Sequence, residues 1–152
     1  MADNVKIAGN KGSLRVADHD LLSGNWYDDK WISPEVEIRV RGLHDISLVT
    51  FRIYCPDTSI RLLDNSVTLR IGSQESVHSL PWGGACSIAV PVDVALNGTV
   101  NLRVAAQKFL EADKLDNRNR AFVLQEIIFA TTAGNATAAR VTPMRDSPPR
   151  TG

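Results

Sequence analysis

Short runs rich in β-forming residues recur along this chain, and in several of them apolar and polar residues alternate. They lie at 34–42, 46–54, 66–71, 87–92, 100–104 and 122–129. In the first run Val36, Ile38 and Val40 share one face, while Glu37 and Arg39 share the other. Because the side chains of a β-strand alternate between its two faces, this period of two predicts half-buried strands. No stretch of the chain shows the apolar spacing of a long amphipathic helix.

The spacing of these runs predicts an all-β fold. Several short strands separated by turn signals are typical of an antiparallel β-sandwich, here of jelly-roll type, whereas a parallel sheet would need helical crossovers. The pair Asn97-Gly98 predicts a hairpin turn between two strands. We also expect a turn at Asp64-Asn65, a short strand over 59–63, a helical turn or two within 107–115, and a bulge within 122–129.

The chain has 152 residues, the length of one ordinary domain. Residues 1–20 form a polar leader, in which Val5–Ala8 and Ser13–Ala17 could pair as an edge hairpin. Residues 21–132 carry the strand patterns of the sandwich. Residues 133–152 are rich in Ala, Thr, Pro and Arg with almost no large apolar side chain, so we expect a disordered tail or linker.

Charge and cysteine content narrow the choice of partner and compartment. Basic and acidic side chains balance at 17 each, which argues against a nucleic-acid partner. No apolar stretch reaches the length of a membrane span, and the first residues contain no apolar signal segment. The two cysteines, Cys55 and Cys86, are too few for a disulfide framework, so reduced thiols in a cytoplasmic protein are expected.

The sequence contains no recognisable catalytic constellation. The three histidines, His19, His44 and His78, have no second ligand at the spacing of a zinc site, and we expect neither a metal nor a cofactor. A Gly-x-Ser-x-Gly elbow and a glycine-rich phosphate loop are both missing from the sequence. An enzyme would have to assemble scattered loop residues, as a cupin-like metal enzyme does. The sequence therefore favours a protein that is not an enzyme.

An aromatic cluster is the strongest binding signal. Trp26, Tyr27 and Trp31 fall within six residues, beside Asp28 and Asp29. Indole faces flanked by carboxylates suit sugar rings, because the C–H face of the ring stacks while the hydroxyls form hydrogen bonds. The alternative is that Trp26 and Trp31 plug one end of the sandwich, each N–H satisfied by a loop carbonyl.

Two further positions extend this binding hypothesis. Trp82 lies in the loop Pro81-Trp82-Gly83-Gly84 and is a candidate for stacking a ligand. Asp116 and Arg118 precede the last strand, where they could pair locally or with the aromatic loop. This segment would either fix the long loop onto the sandwich, or Arg118 or Arg120 would contact an anionic or polyhydroxyl ligand.

These constellations resemble those of a known domain family. The opening residues are Gly24, Trp26, Tyr27, Trp31 and Pro34, and the closing residues are Phe109, Asp116, Arg118, Phe122, Leu124, Ile127 and Phe129. Over about 22–130, the pattern resembles a β-sandwich accessory domain found beside bacterial glycosyltransferases of surface-polysaccharide pathways. The resemblance implies a carbohydrate-binding-like module and not a transferase.

Two functions therefore follow as expectations. The first is a non-catalytic module that binds a glycan or polysaccharide, or that positions a glycosyltransferase domain on its glycan. Its ligand-binding residues would be Trp82, Trp31, Tyr27, Trp26, Asp28, Asp29, Asp116 and Arg118. The second is a protein-interaction or assembly subunit, such as a homo-oligomer, whose sandwich edges and tryptophan loops form the interface.

Overall fold

The computed structural model describes residues 17–131 and 137–142, and these residues form an all-β fold. The strands are β1 (His19–Ser23), β2 (Glu35–Cys55), β3 (Ser66–Ile71), β4 (Gln74–Ser79), β5 (Gly84–Ala106), β6 (Val123–Thr131) and β7 (Thr137–Val141). They make one seven-stranded antiparallel sheet in the order β4-β3-β5-β2-β6-β7, with β1 on β2. The predicted all-β antiparallel fold is confirmed, while its jelly-roll topology stays a prediction.

Two long strands, β2 and β5, run through both halves of the sheet. Residues 35–40 of β2 pair with 100–105 of β5, and residues 37–40 also pair with β1. Residues 48–55 pair instead with β6 and with 84–91 of β5. Between these halves the register shifts three times, and Gly42, Asp45 and Gly98 all have positive φ. Such bulges bend a strand, so each long strand turns a corner between two layers.

One apolar core lies between the two halves. Val36 and Leu102 come from the first half, Phe51 and Leu124 from the second, and all four are 0% exposed within the same cluster. The described residues form no α-helix, so the opposite half of the sheet buries these side chains together with loop residues such as Trp26 and Phe122. Each such side chain contributes about 1.5–3 kcal/mol by leaving water, which holds the halves together as a sandwich.

The corner explains one wrong prediction. The runs at 87–92 and 100–104 are parts of one strand, and Asn97-Gly98 lies inside it and not in a hairpin turn. Gly98 faces Leu43 across the β2–β5 ladder, with φ at 76°. A tight hairpin and a bulge both need a residue with positive φ, so the local sequence is the same for the two.

Of three other local predictions, one is confirmed and two are wrong. The register shift in β6 opposite Arg52 and Ile53 confirms the expected bulge. The strand over 59–63 is wrong, because Ile60–Leu62 form a single 3-10 turn, and no helix forms within 107–115.

The chain ends were also the subject of predictions. The expectation of a tail from 133 is wrong for Thr137–Val141, since these residues pair with β6 as β7. The predicted leader hairpin, apart from Ala17, and residues 133–136 and 143–152 of the tail lie outside the described residues.

Gly24 fixes the entry to the loop between β1 and β2. Its φ is 76°, and a Cβ at this position would meet the backbone oxygen of Glu35. Gly98 has the same φ but open space around the missing Cβ. Substitutions at the two glycines therefore distinguish the cost of backbone strain alone, at Gly98, from that of strain with a steric clash, at Gly24.

We expect Gly98→Ala to lower the free energy of unfolding by about 1–2 kcal/mol, the cost of a left-handed L-residue. Gly24→Ala should cost at least about 1 kcal/mol more, because backbone atoms must move. Urea unfolding of both variants measures the difference. An equal decrease in the free energy of unfolding for both variants would show that the backbone around Gly24 moves aside without an energetic cost.

Candidate functional site

Four loops meet at the end of the sandwich opposite the corner, which we call the loop end. They are 24–34, 56–65, 80–83 and 107–122. Because β2 and β5 fold back at their centres, both ends of each strand come to this end. Backbone hydrogen bonds join the loops here: the N–H of Ile32 donates to the carbonyl of Phe122, and that of Leu80 donates to Asn65, both at 3.0 Å.

Trp26 belongs to the core and not to a ligand surface. Its side chain is only 8% exposed, and its indole N–H donates to the carbonyl of Leu124 at 2.9 Å. A ligand therefore has no access to its ring face. The predicted stacking role of Trp26 is wrong, and the alternative of an end plug with a satisfied N–H describes this residue.

Arg118 binds two carboxylates at once. Its Nε and one Nη donate to Asp116 at 2.8 and 2.7 Å, and both Nη atoms donate to Asp29 at 3.1 and 3.0 Å. The guanidinium also lies over the ring of Tyr27, 4.6 Å from its centroid. We call these four residues the arginine clamp. Because forked pairs fix orientation, the clamp ties the first loop to the last.

The clamp shifts the pKa values of its own charged groups. The side-chain hydrogen bond from Arg118 lowers the pKa of Asp116 to about 2. The same donor holds the pKa of Asp29 below its usual range. In return, the hydrogen bonds to Asp116 and Asp29 raise the pKa of Arg118. All three groups therefore stay charged at neutral pH, which keeps the loops tied together.

Trp31 is held beside the clamp by a second arginine. The guanidinium of Arg120 lies 5.6 Å from the centroid of the Trp31 ring, and its Nε donates to the carbonyl of Arg118 at 3.1 Å. The backbone of Trp31 forms a bridge with Val123. An arginine therefore already covers one face of the Trp31 ring and one face of the Tyr27 ring, and a ligand could stack only on the other face.

Trp82 is the most accessible of the three tryptophans, at 47% exposed. Its indole N–H donates to the carbonyl of Ser59 at 2.9 Å, which orients the ring over the loop after β2. Asp28 is also exposed, on the first loop. The predicted residues thus share one end of the molecule, but Trp82 lies on a different loop from the clamp.

An open cleft of about 340 Å³ separates the loop after β2 from the loop before β6. Its lining residues are Asp57, Ser59, Arg61, Leu110, Glu111, Asp113, Leu115, Asp116 and Arg120. Of the predicted site residues, only Asp116 lines it. Asp57, Ser59 and Arg61 on the opposite wall were missed because nothing in the sequence shows that these two loops face each other.

Two aspartates shape the walls of this cleft. One carboxylate oxygen of Asp113 accepts the N–H groups of Leu115 and Asp116 at 2.8 and 2.9 Å. These backbone hydrogen bonds, that of Asp116 first, lower the pKa of Asp113. In the opposite loop, Asp57 accepts the N–H of Ser59 at 2.7 Å. Each loop is therefore organised by its own carboxylate before any ligand arrives.

The chemistry of the cleft is that of a polar binding site. Carboxylates accept hydrogen bonds and guanidinium groups donate them, and both kinds line the same space. No group of three or more His, Cys, Asp or Glu side chains in residues 17–131 and 137–142 is arranged to hold a metal ion. Within the same residues, no helix is long and apolar enough to cross a membrane.

We expect Asp116→Asn to weaken the clamp. The folded-state pKa of Asp116 is about 2, below the ordinary 3.8, so its stabilising effect is present above about pH 4 and lost as the pH falls towards 2. The variant should be less stable at neutral pH and should lose less stability on acidification. Urea midpoints across this pH range measure both effects.

Asp64→Asn is the matched control, because Asp64 is an exposed turn residue that is not part of the clamp. It should retain the acid dependence of the wild type. An Asp116→Asn variant with an unchanged acid dependence would contradict the assigned role of this carboxylate.

No protein-family model matches the sequence, and no curated protein matches it. The resemblance to a glycosyltransferase-associated domain therefore stays a prediction.

Proposed function

We propose that this chain is a non-catalytic binding module that holds a glycan in the cleft at the loop end. The observation that carries the proposal is the lining of the cleft, in which carboxylates and guanidinium groups face one space between two ordered loops. A polyhydroxylated ligand both donates and accepts hydrogen bonds, so it suits a wall that offers both. The resemblance to a polysaccharide-pathway accessory domain agrees with this class of ligand.

The proposed contacts differ from the predicted set. Asp57, Glu111 and Asp113 would accept hydrogen bonds from sugar hydroxyls, while Arg61 and Arg120 would donate them. Trp82 lies beside the cleft through its bond to Ser59, and its exposed ring is the proposed stacking surface.

The arginine clamp has a different role in this proposal. The carboxylates of Asp29 and Asp116 already bind Arg118, so the clamp positions the walls rather than the ligand.

Intrinsic fluorescence tests the proposal directly, because Trp82 is the exposed tryptophan. We expect oligosaccharides from bacterial surface polysaccharides to give a saturable change in the emission of the wild type. Trp82→Phe should remove most of that change. Glu111→Gln, which keeps the shape of the side chain but not its charge, should weaken binding about tenfold.

Glu75→Gln is the matched control, since Glu75 is an exposed carboxylate on β4, far from the loop end. It should bind like the wild type. A folded wild-type protein with no response to any oligosaccharide would contradict the proposal. Equal weakening by both glutamine variants would place the ligand elsewhere.

A protein partner is the second candidate, and exposed apolar side chains favour it. Leu115 is 97% exposed and Ile60 is 71% exposed, on the two loops that form the cleft. Apolar side chains around a polar site are typical of an interaction surface. The resemblance suggests a glycosyltransferase domain as the partner.

Light scattering with a purified glycosyltransferase domain separates the two candidates. A complex that Ile60→Ser and Leu115→Ser dissociate, in a protein that ignores oligosaccharides, would favour the protein partner. Oligosaccharide binding that both variants retain would favour the glycan.

A further inference from the structure

Within the part of the chain that the structure describes, one edge of the sheet has no partner strand over residues 84–91. These residues of β5 pair with β2 on one side. On the other side, no strand of the described residues pairs with them, because β3 meets β5 only at 102–106. Ala85, Ser87 and Ala89 are all exposed. The edge is therefore an open template for another strand.

The direction of the backbone groups on this edge follows from Gln74. The side-chain amide of Gln74 donates to the carbonyl of Pro91 at 2.9 Å and accepts the N–H of Asp93 at 2.9 Å. Those two backbone groups therefore point away from β2. Because backbone groups alternate in direction along a strand, the N–H and C=O groups of Ala89 and Ser87 point the same way.

The open edge has a defined end. Pro91 has no N–H to donate, and its carbonyl already accepts from Gln74. A strand that pairs with this edge can therefore use the outward N–H and C=O groups from Ala85 to Ala89. At Pro91 no free backbone donor or acceptor follows. The segment from Ala85 to Ala89 is centred on Ser87.

The edge also lacks the charges that usually prevent pairing. The residues from 84 to 92, Gly-Ala-Cys-Ser-Ile-Ala-Val-Pro-Val, include no charged side chain. The side chains on the exposed face, Ala85, Ser87 and Ala89, are all small. Edge strands that stay single are commonly protected by lysine or by inward charges, and here protection begins only at Pro91.

We infer that a second copy of this chain pairs with this edge, antiparallel and across a twofold axis at Ser87. Ser87 would face Ser87 of the second copy, and each Ala85 would face Ala89. Such a register closes about six backbone hydrogen bonds. It is self-complementary, because a neutral segment of small residues meets its own reverse. This inference does not depend on the glycan cleft, which lies on other loops.

Sedimentation velocity of the purified chain at rising concentration tests the inference. We expect a monomer–dimer equilibrium with a dissociation constant below about 0.5 mM. Ser87→Pro should raise the dimer dissociation constant at least about tenfold, because proline removes the outward N–H. That N–H has no role in the β2–β5 ladder, so the variant should keep the wild-type unfolding midpoint.

Ser87→Ala is the matched control, since it changes the side chain and leaves the backbone donor in place. It should dimerise like the wild type. A wild type that stays monomeric, a dimer that survives in Ser87→Pro, or one that is lost equally in Ser87→Ala would each overturn the inference. Growth beyond the dimer would also overturn it, because the proposed pairing closes on itself.

Hydrogen exchange of the wild type covers the case in which Ser87→Pro does not fold. The amides of Ser87 and Ala89 should exchange more slowly as protein concentration rises. Exchange that is fast at every concentration would overturn the inference.

Discussion

The ladder between β2 and β5 supports the rest of the structure, because every other strand pairs with one of these two or with a neighbour of one. Both strands bend near the same level, where Gly42, Asp45 and Gly98 take positive φ. The bend folds one continuous sheet into two layers and brings both ends of each long strand to the loop end. The position of the proposed binding site is thus a consequence of the corner.

The arginine clamp converts this arrangement into a shaped surface. Arg118 joins Asp29 and Asp116, which lie on different loops, while its guanidinium covers Tyr27. The loops before β2 and before β6 would otherwise be tied mainly by backbone contacts. A charged network at the surface costs little desolvation and orients both loops, so the cleft beside it has fixed walls. Of the aromatic residues that suggested sugar binding, Tyr27 and Trp31 lie against the arginines of this network.

Local patterns predicted the strands well, because burial of alternate side chains leaves a direct mark on the sequence. Val36, Ile38 and Val40 are buried as their spacing indicates. Phe122, Leu124, Ile127 and Phe129 are also buried, because the expected bulge shifts the register between Leu124 and Ile127. Asn97-Gly98 was misread because a corner and a hairpin need the same backbone conformation. The cleft was missed for another reason: Asp57 and Glu111 are far apart in sequence, and only the fold places them on facing walls.

The cleft at the loop end is the proposed ligand site of this protein. Chemical-shift mapping of the ¹⁵N-labelled chain, titrated with bacterial oligosaccharides, tests it most directly. We expect saturable shifts confined to the amides of Ser59, Arg61, Glu111 and Asp113, and to the indole N–H of Trp82. Shifts that cluster on the sheet faces or at the corner, with the cleft unchanged, would contradict it.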